Sequence, residues 1–397
     1  MERLFEKFRR KAAAVSQSLT RTLMDEIRWD ARLVGIRGAR GVGKTTLLLQ
    51  RIQRHHAQDT GALYVSLDDI WFSEHRLVEL ADIFVKRGGR HLFLDEVHKY
   101  PDWSREIKNI YDDHHDLHVV FTGSSLLEIL NARADLSRRA VAYEMQGLSF
   151  REYLNMTQAL NLPAVSLDDI LSKHGELSGL VLSKVKPLKF FNNYLKQGYY
   201  PFFSEGVEVY ESRVEEVVNF ILEVELPLLR GVETSHIRKL KQLLLVIAES
   251  APFMPNVSKL SERVGINRVT FLGYLHSLQE AGLTRHLYKE GAGMTRLQKP
   301  AKIFLENTNL AAALVGRSVD TGSARETFFH NQLAYRHDVQ TPAAGDFIVD
   351  RRWTFEVGGP GKSAKQIVGL EDAFIAADGI EYGSGRHVPL WLFGFLY

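Results

Sequence analysis

Lys44 and Thr45 close the stretch Gly38-Ala39-Arg40-Gly41-Val42-Gly43-Lys44-Thr45, and their types and spacing suit phosphate chemistry. A glycine, four residues and then Gly-Lys-Thr is the pattern of a phosphate-binding loop. In such a loop successive backbone N–H groups and a helix N-terminus face the anion, and glycine allows conformations and close approach that a Cβ would block. Lys44 would reach the β and γ phosphates of a bound nucleotide, and Thr45 would offer its hydroxyl to Mg²⁺, which takes hard oxygen ligands. The expected nucleotide contacts are Gly38, Arg40, Gly41, Val42, Gly43, Lys44, Thr45 and Thr46. A plain glycine-rich turn is the alternative, and the flanks argue against it.

A second group of reactive residues follows. His91-Leu92-Phe93-Leu94-Asp95-Glu96 delivers two acids to the end of an apolar run. Asp95 would hold Mg²⁺ through its hydration shell, and Glu96 would polarise the attacking water as general base. Leu117 to Ser125 is another apolar run, ending in hydroxyls. Thr122, Ser124 or Ser125 would sense the γ phosphate, and Ser124 or Ser125 would serve equally well as a helix N-cap. Arg138 or Arg139 would neutralise charge on the transferring phosphoryl, in cis or from a neighbouring subunit of a homo-oligomer, or lie solvated on the surface. Asp68 and Asp69 would assist Mg²⁺ or, better, cap the next helix.

These residues need elements to carry them. Leu33-Val34-Gly35-Ile36 reads as a buried strand before the loop, and Thr46 to Ile52 as a helix after it. Ala62 to Leu67 reads as a second strand, and the separation of Lys44 from Asp95 leaves room for one or two βα crossovers. Residues 1 to 30 read as an amphipathic lead-in with Leu4, Phe5 and Phe8 on one side, either docked or a basic arm on phosphates.

Composition bounds the rest. At 397 residues the chain exceeds one typical core, so two or three domains are expected. Apolar residues at 45% and charged residues at 25% are globular values. The longest apolar run, Leu243 to Ala248, falls far short of the roughly 20 residues that span a membrane, so no membrane partner is expected. No secretory signal is read at the basic start, and the absence of cysteine agrees with a reducing, cytoplasmic compartment. A net charge of +2 neither demands nor forbids nucleic acid.

Gly38 to Thr46, Leu92 to Glu96, Thr122 to Ser125, Ser137-Arg138-Arg139 and Leu148 to Leu154, in this order, resemble the AAA-type P-loop ATPases of bacteria and archaea. The resemblance is to relatives of the archaeal-type and STAND ATPases that carry a C-terminal domain of unknown function. It implies ATP and Mg²⁺ as ligands, Glu96 as catalytic glutamate and Arg138 or Arg139 as finger. Gly198-Tyr199-Tyr200-Pro201 resembles the family's Gly-Gly-x-Pro turn, with Tyr199 in place of the second glycine.

From Leu148 to about Arg230 the period is helical and suits a lid, its aromatics forming a core. Ile237–Ser250, Asn256–Val264 and Arg268–Ala281 read as a helix-turn-helix, Leu260, Val264, Val269, Leu272, Leu275 and Leu278 burying one face, and the strands around 283–288 and 301–305 as its wing. Asn267, Arg268, Thr270, Tyr274 and His276 would face DNA bases, with Lys289, Arg296, Lys299 and Lys302 on phosphates; a structural or protein-binding module is the equal alternative. At the C-terminus a helix bearing Glu326 precedes a hairpin carrying Asp346 and Glu356, which would hold a second metal for phosphodiester cleavage. The stretch resembles the PD-(D/E)XK fold. Gly358 stands where that pattern has its lysine; Lys362, the next basic residue, would reach in from the Gly358-Gly359-Pro360-Gly361 loop or, as the better reading, the fold persists without cleavage.

The expected architecture is therefore α/β: a P-loop NTPase parallel sheet over 1–147, a helical lid over 148–230, a winged helix over 231–310 and a restriction-endonuclease-like domain over 317–397. The expected function is an ATPase switch acting on a macromolecular partner, with double-stranded DNA or a protein as candidates. The alternatives are an ATP-gated DNA nuclease and a nucleotide-binding scaffold.

Overall fold

The apolar run before the phosphate loop is β1 (Leu33–Arg37), and its first four residues are buried. The computed structural model describes residues 1–397 apart from 18, 58–59, 125–135, 137, 251–253, 290–298 and 317–319. The chain forms two compact units, Met1–Gly147 and Leu148–Tyr397.

In the first unit, β1 lies in a five-stranded sheet with β2 (Ala62–Ser66), β3 (His91–Asp95), β4 (His118–Gly123) and β5 (Val141–Glu144), in the order β2-β3-β4-β1-β5. All pairings are parallel. Because β1, β4 and β3 run parallel, their carboxyl ends lie at one edge, which is where parallel sheets receive ligands. The middle residues of β1 to β4 are apolar and buried, as burial on both faces requires, whereas the edge strand β5 is partly exposed. Helix α1 (Glu2–Ala14) is docked through Leu4 and Phe8, in line with the docked reading. Asp69 caps the turn Ile70–Ser73 by accepting from the Trp71 N–H, and it also pairs with Lys7. Helix α2 (Leu23–Glu26) precedes β1, α3 (Lys44–His55) follows the loop, and α4 (Leu77–Lys86) and α5 (Trp103–Asp113) make the crossovers.

The second unit has one large aromatic core. Phe150 on α6 (Phe150–Gln158) lies against Phe191 on α8 (Pro187–Gln197), and Phe191 meets Phe328 edge-on. Helix α7 (Leu167–Leu182) contributes Leu167, Ile170 and Val181 to the same cluster. Residues of the expected lid helices and of the C-terminal strands thus share one core cluster. Bulky rings on both segments explain this, since each buries the other's apolar face.

Helices α9 (Tyr210–Phe220) and α10 (Leu226–Arg230) lead to α11 (Ile237–Ser250), α12 (Val257–Val264) and α13 (Arg268–Glu280), then to the antiparallel hairpin β6 (Thr284–Leu287) and β7 (Lys302–Leu305). Gly265 ends α12 at φ 68°, as its turn role requires. Val269 is 64% exposed, whereas Leu272, Leu275 and Leu278 are buried as expected. Beyond α14 (Thr308–Val315) and α15 (Thr321–Leu333) comes a sheet of order β12-β11-β10-β9-β8, built from β8 (Val339–Gln340), β9 (Phe347–Val349), β10 (Trp353–Gly358), β11 (Ala373–Ala377) and β12 (His387–Pro389). Asp350 and Arg351, at φ 51° and 56°, turn the β9–β10 hairpin, the geometry that matches strand twist.

Candidate nucleotide site

The phosphate loop is held in shape before any ligand is considered. Gly43 caps α3 at φ 100°, which a side chain would resist. Gly38 passes so close to β5 that a Cβ there would stand 2.4 Å from the Met145 carbonyl oxygen. Val42 is fully buried, and the Arg21 guanidinium staples its carbonyl (2.7 Å) to those of Gln146 (2.7 Å) and Gly147 (2.8 Å). Lys44 is 4% exposed and donates to the carbonyls of Gly38 (2.8 Å) and Ala39 (2.9 Å). Arg40 is half-buried, while Gly41 and Thr46 are exposed.

Asp95 is the hub of the site. Thr45 donates its hydroxyl to Asp95 Oδ2 at 2.7 Å, Tyr64 donates to the same oxygen at 2.8 Å, and Thr122 donates to Oδ1. Burial and the Asp95 charge hold the Tyr64 phenol protonated, far above its ordinary pKa. Thr45 and Asp95 present hard oxygens within bonding distance of each other, a donor set that fits Mg²⁺. Glu96 adopts φ 53°, and its Oε1 accepts from the Ser124 hydroxyl at 2.9 Å. The His98 ring lies beside it, Nε2 being 3.4 Å from Glu96 Oε2. Burial, with lesser help from Lys99, Lys44 and Arg40, drops the His98 pKa to about 3.

The structure therefore gathers Lys44, Thr45, Asp95, Glu96, Thr122 and Ser124 at one sheet edge. Ser125 and Ser137 lie outside the described residues. Arg138 is exposed at φ 68°, and Arg139 is committed to Asp112 on α5 through Nε (3.0 Å) and Nη2 (3.2 Å). Sequence reasoning assigned no role to Arg21, Tyr64 or His98. Only the adjacency of β2 to β3 brings the Tyr64 hydroxyl to Asp95, and nothing local announces it.

The second expected metal set is assembled together with basic side chains, Lys362 reaching Glu356. Glu326, Asp346 and Glu356 do come together, but two ammonium groups sit among them. Lys362 Nζ is 2.7 Å from Glu356 Oε2 and 4.0 Å from Asp346; Lys302 Nζ is 3.5 Å from Glu326 and 3.8 Å from Asp346. Among the described residues no group of three or more His, Asp or Glu side chains is arranged to hold a metal ion. Burial raises the Glu326 pKa to about 7, against the opposing pull of Lys302, and also raises that of Glu356, which is fully buried. Lys302, expected on a DNA phosphate, belongs to this ion-pair cluster, and Arg296 lies outside the described residues. On α13, Asn267 caps the helix by accepting from the Thr270 N–H, Tyr274 meets His236, and His276 lies 3.4 Å from Glu280. Arg268, Lys289 and Lys299 are exposed. Tyr199 and Tyr200 are buried: the Tyr199 N–H donates to Asn309 Oδ1 (2.8 Å), and the Tyr200 hydroxyl accepts from Asn307 (3.2 Å).

Residues 30–154 match the family model described as an AAA domain. The strand order and the loop of the first unit agree with that match and support an AAA-type P-loop domain there. Residues 188–321 match a domain of unknown function, DUF8612. The chain is 25% identical over 383 residues to the uncharacterized protein MJ1637 of Methanocaldococcus jannaschii, covering 88% of this chain and 80% of that one. Among solved structures it is similar to the Walker-type ATPase paby2304 of Pyrococcus abyssi, with 12% identity, a TM-score of 0.42, and coverage of 78% of this chain and 95% of that one. A second is AMPPCP-bound DnaA from Aquifex aeolicus, with 15% identity, a TM-score of 0.26, and coverage of 65% and 84%. No helix among the described residues is long and apolar enough to cross a membrane.

Proposed function

We propose that this protein binds and hydrolyses ATP and uses the cycle as a switch on a macromolecular partner. The 2.7 Å hydrogen bond from Thr45 to Asp95 carries the reading, because it joins the loop that binds phosphates to the strand that bears the acids. Lys44 and the loop N–H groups bind the β and γ phosphates. Mg²⁺, held by Thr45 and Asp95, would neutralise charge on the phosphate oxygens. Glu96 takes the proton of the attacking water, and Ser124 orients Glu96 through Oε1. Arg138 is the candidate finger, since Arg139 is spent on Asp112.

Double-stranded DNA is the first partner to test, through exposed Arg268, Lys289 and Lys299. The experiment is the ATP hydrolysis rate of the full chain with and without duplex DNA, beside Lys44→Ala and Glu96→Gln. A rate abolished by both substitutions and raised by DNA supports the DNA-coupled switch. A rate indifferent to DNA points to a protein partner, and a rate unaffected by the substitutions overturns the site.

A further inference from the structure

We propose that His98 is a positioning residue that holds the Glu96 carboxylate by Oε2, the oxygen Ser124 leaves open. This rests on the ATPase reading above, in which Glu96 is the general base. The turn Val97–Lys99 follows directly from β3, so the His98 ring is carried by the same backbone that presents Glu96. The His98 side chain is only 6% exposed, and its nitrogens face two different groups. Nδ1 accepts from the Ser124 N–H at 3.4 Å, so in the neutral ring the proton belongs on Nε2.

Nε2 has no hydrogen-bond partner among the described residues at this geometry, yet it is buried and points at Glu96 Oε2 from 3.4 Å. A shift of a few tenths of an ångström makes that contact a hydrogen bond. Glu96 Oε1 is already held by the Ser124 hydroxyl at 2.9 Å. The two donors approach opposite oxygens of one carboxylate, and His98 ties both to the end of β4 through the Ser124 backbone. A buried imidazole with one nitrogen satisfied and the other aimed at an acid has a use beyond filling space. The burial that keeps the ring neutral also keeps it from drawing the proton off Glu96 or pairing with it as a cation.

Two substitutions separate positioning from packing. Glutamine at 98 places an amide N–H where Nε2 lies, whereas asparagine reaches only as far as Nδ1. The measurements are kcat for ATP hydrolysis, Kd for a fluorescent ATP analogue, and the melting temperature of the full chain. His98→Ala should lower kcat by about tenfold or more, as misplacement of the Glu96 carboxylate would, with Kd changed less than about twofold. His98→Gln should recover most of kcat, and His98→Asn should not. Equal recovery by asparagine and glutamine overturns the proposal, as does a rise in Kd as large as the fall in kcat. A hydrolysis rate left unchanged by Glu96→Gln overturns Glu96 as the general base, and no hydrolysis by the wild type overturns the ATPase reading, so these failures are distinguishable from that of His98.

Discussion

Thr45 and Asp95 stand fifty positions apart in the chain and 2.7 Å apart in the fold, hydroxyl to carboxylate. Thr45→Val keeps the shape of the side chain and removes the donor. Affinity for ATP in Mg²⁺ should fall by about tenfold or more, while affinity in EDTA should change little. Titration with a fluorescent nucleotide in both conditions reads this, and an unchanged Mg²⁺ dependence would remove Thr45 from the metal's ligands.

Gly38 faces the Met145 carbonyl oxygen so closely that even alanine has no room. Gly38→Ala should cost roughly 1–3 kcal/mol of stability and weaken nucleotide binding as the loop shifts. Denaturant unfolding and the same titration check both effects.

Arg139 is held by Asp112, and its neighbour Arg138 is exposed. Arg138→Ala should therefore lower kcat while leaving nucleotide affinity intact, and Arg139→Ala should leave kcat within about twofold. Steady-state hydrolysis at several protein concentrations decides it, since a finger supplied by a second subunit also makes the specific rate rise with concentration.

Asn309 has no exposed surface and closes a buried network. It accepts from the Tyr199 N–H at 2.8 Å and donates to the carbonyls of Tyr194 (3.0 Å) and Leu195 (2.9 Å). Asn309→Leu strands these groups and should destabilise the second unit by about 3 kcal/mol or more. Calorimetry of the full chain should show that loss, with ATP binding unaltered.

Glu326 gives the stability a pH dependence. Burial raises its folded pKa to about 7 from the ordinary 4.5, so the folded state binds more protons than the unfolded state between these values. Its contribution is complete below about pH 4.5 and is lost as pH rises through 7. Relative to Glu326→Gln, the wild type should lose at least about 1 kcal/mol between pH 5 and 8. A constant difference across that range would show that Glu326 does not titrate there.

Local information settled a great deal. The apolar strand β1, the glycines of the loop and the helix beginning at Lys44 are dictated within a dozen residues, because conformational freedom and periodicity are short-range properties. The same holds for Asp95 and Glu96 at the end of β3, and for Gly265 in its turn. What only the tertiary structure decided is which distant groups meet. The parallel order β2-β3-β4 puts Tyr64 and Thr122 on Asp95, and no spacing in the chain encodes that adjacency. Lys302 and Lys362 fill a carboxylate cluster that the chain pattern presents as a metal set, because a buried charge takes whatever counter-charge the fold brings nearest. The aromatic helices after Leu148 join the C-terminal core for a like reason: periodicity shows that a face must be buried, and only the folded chain shows against what.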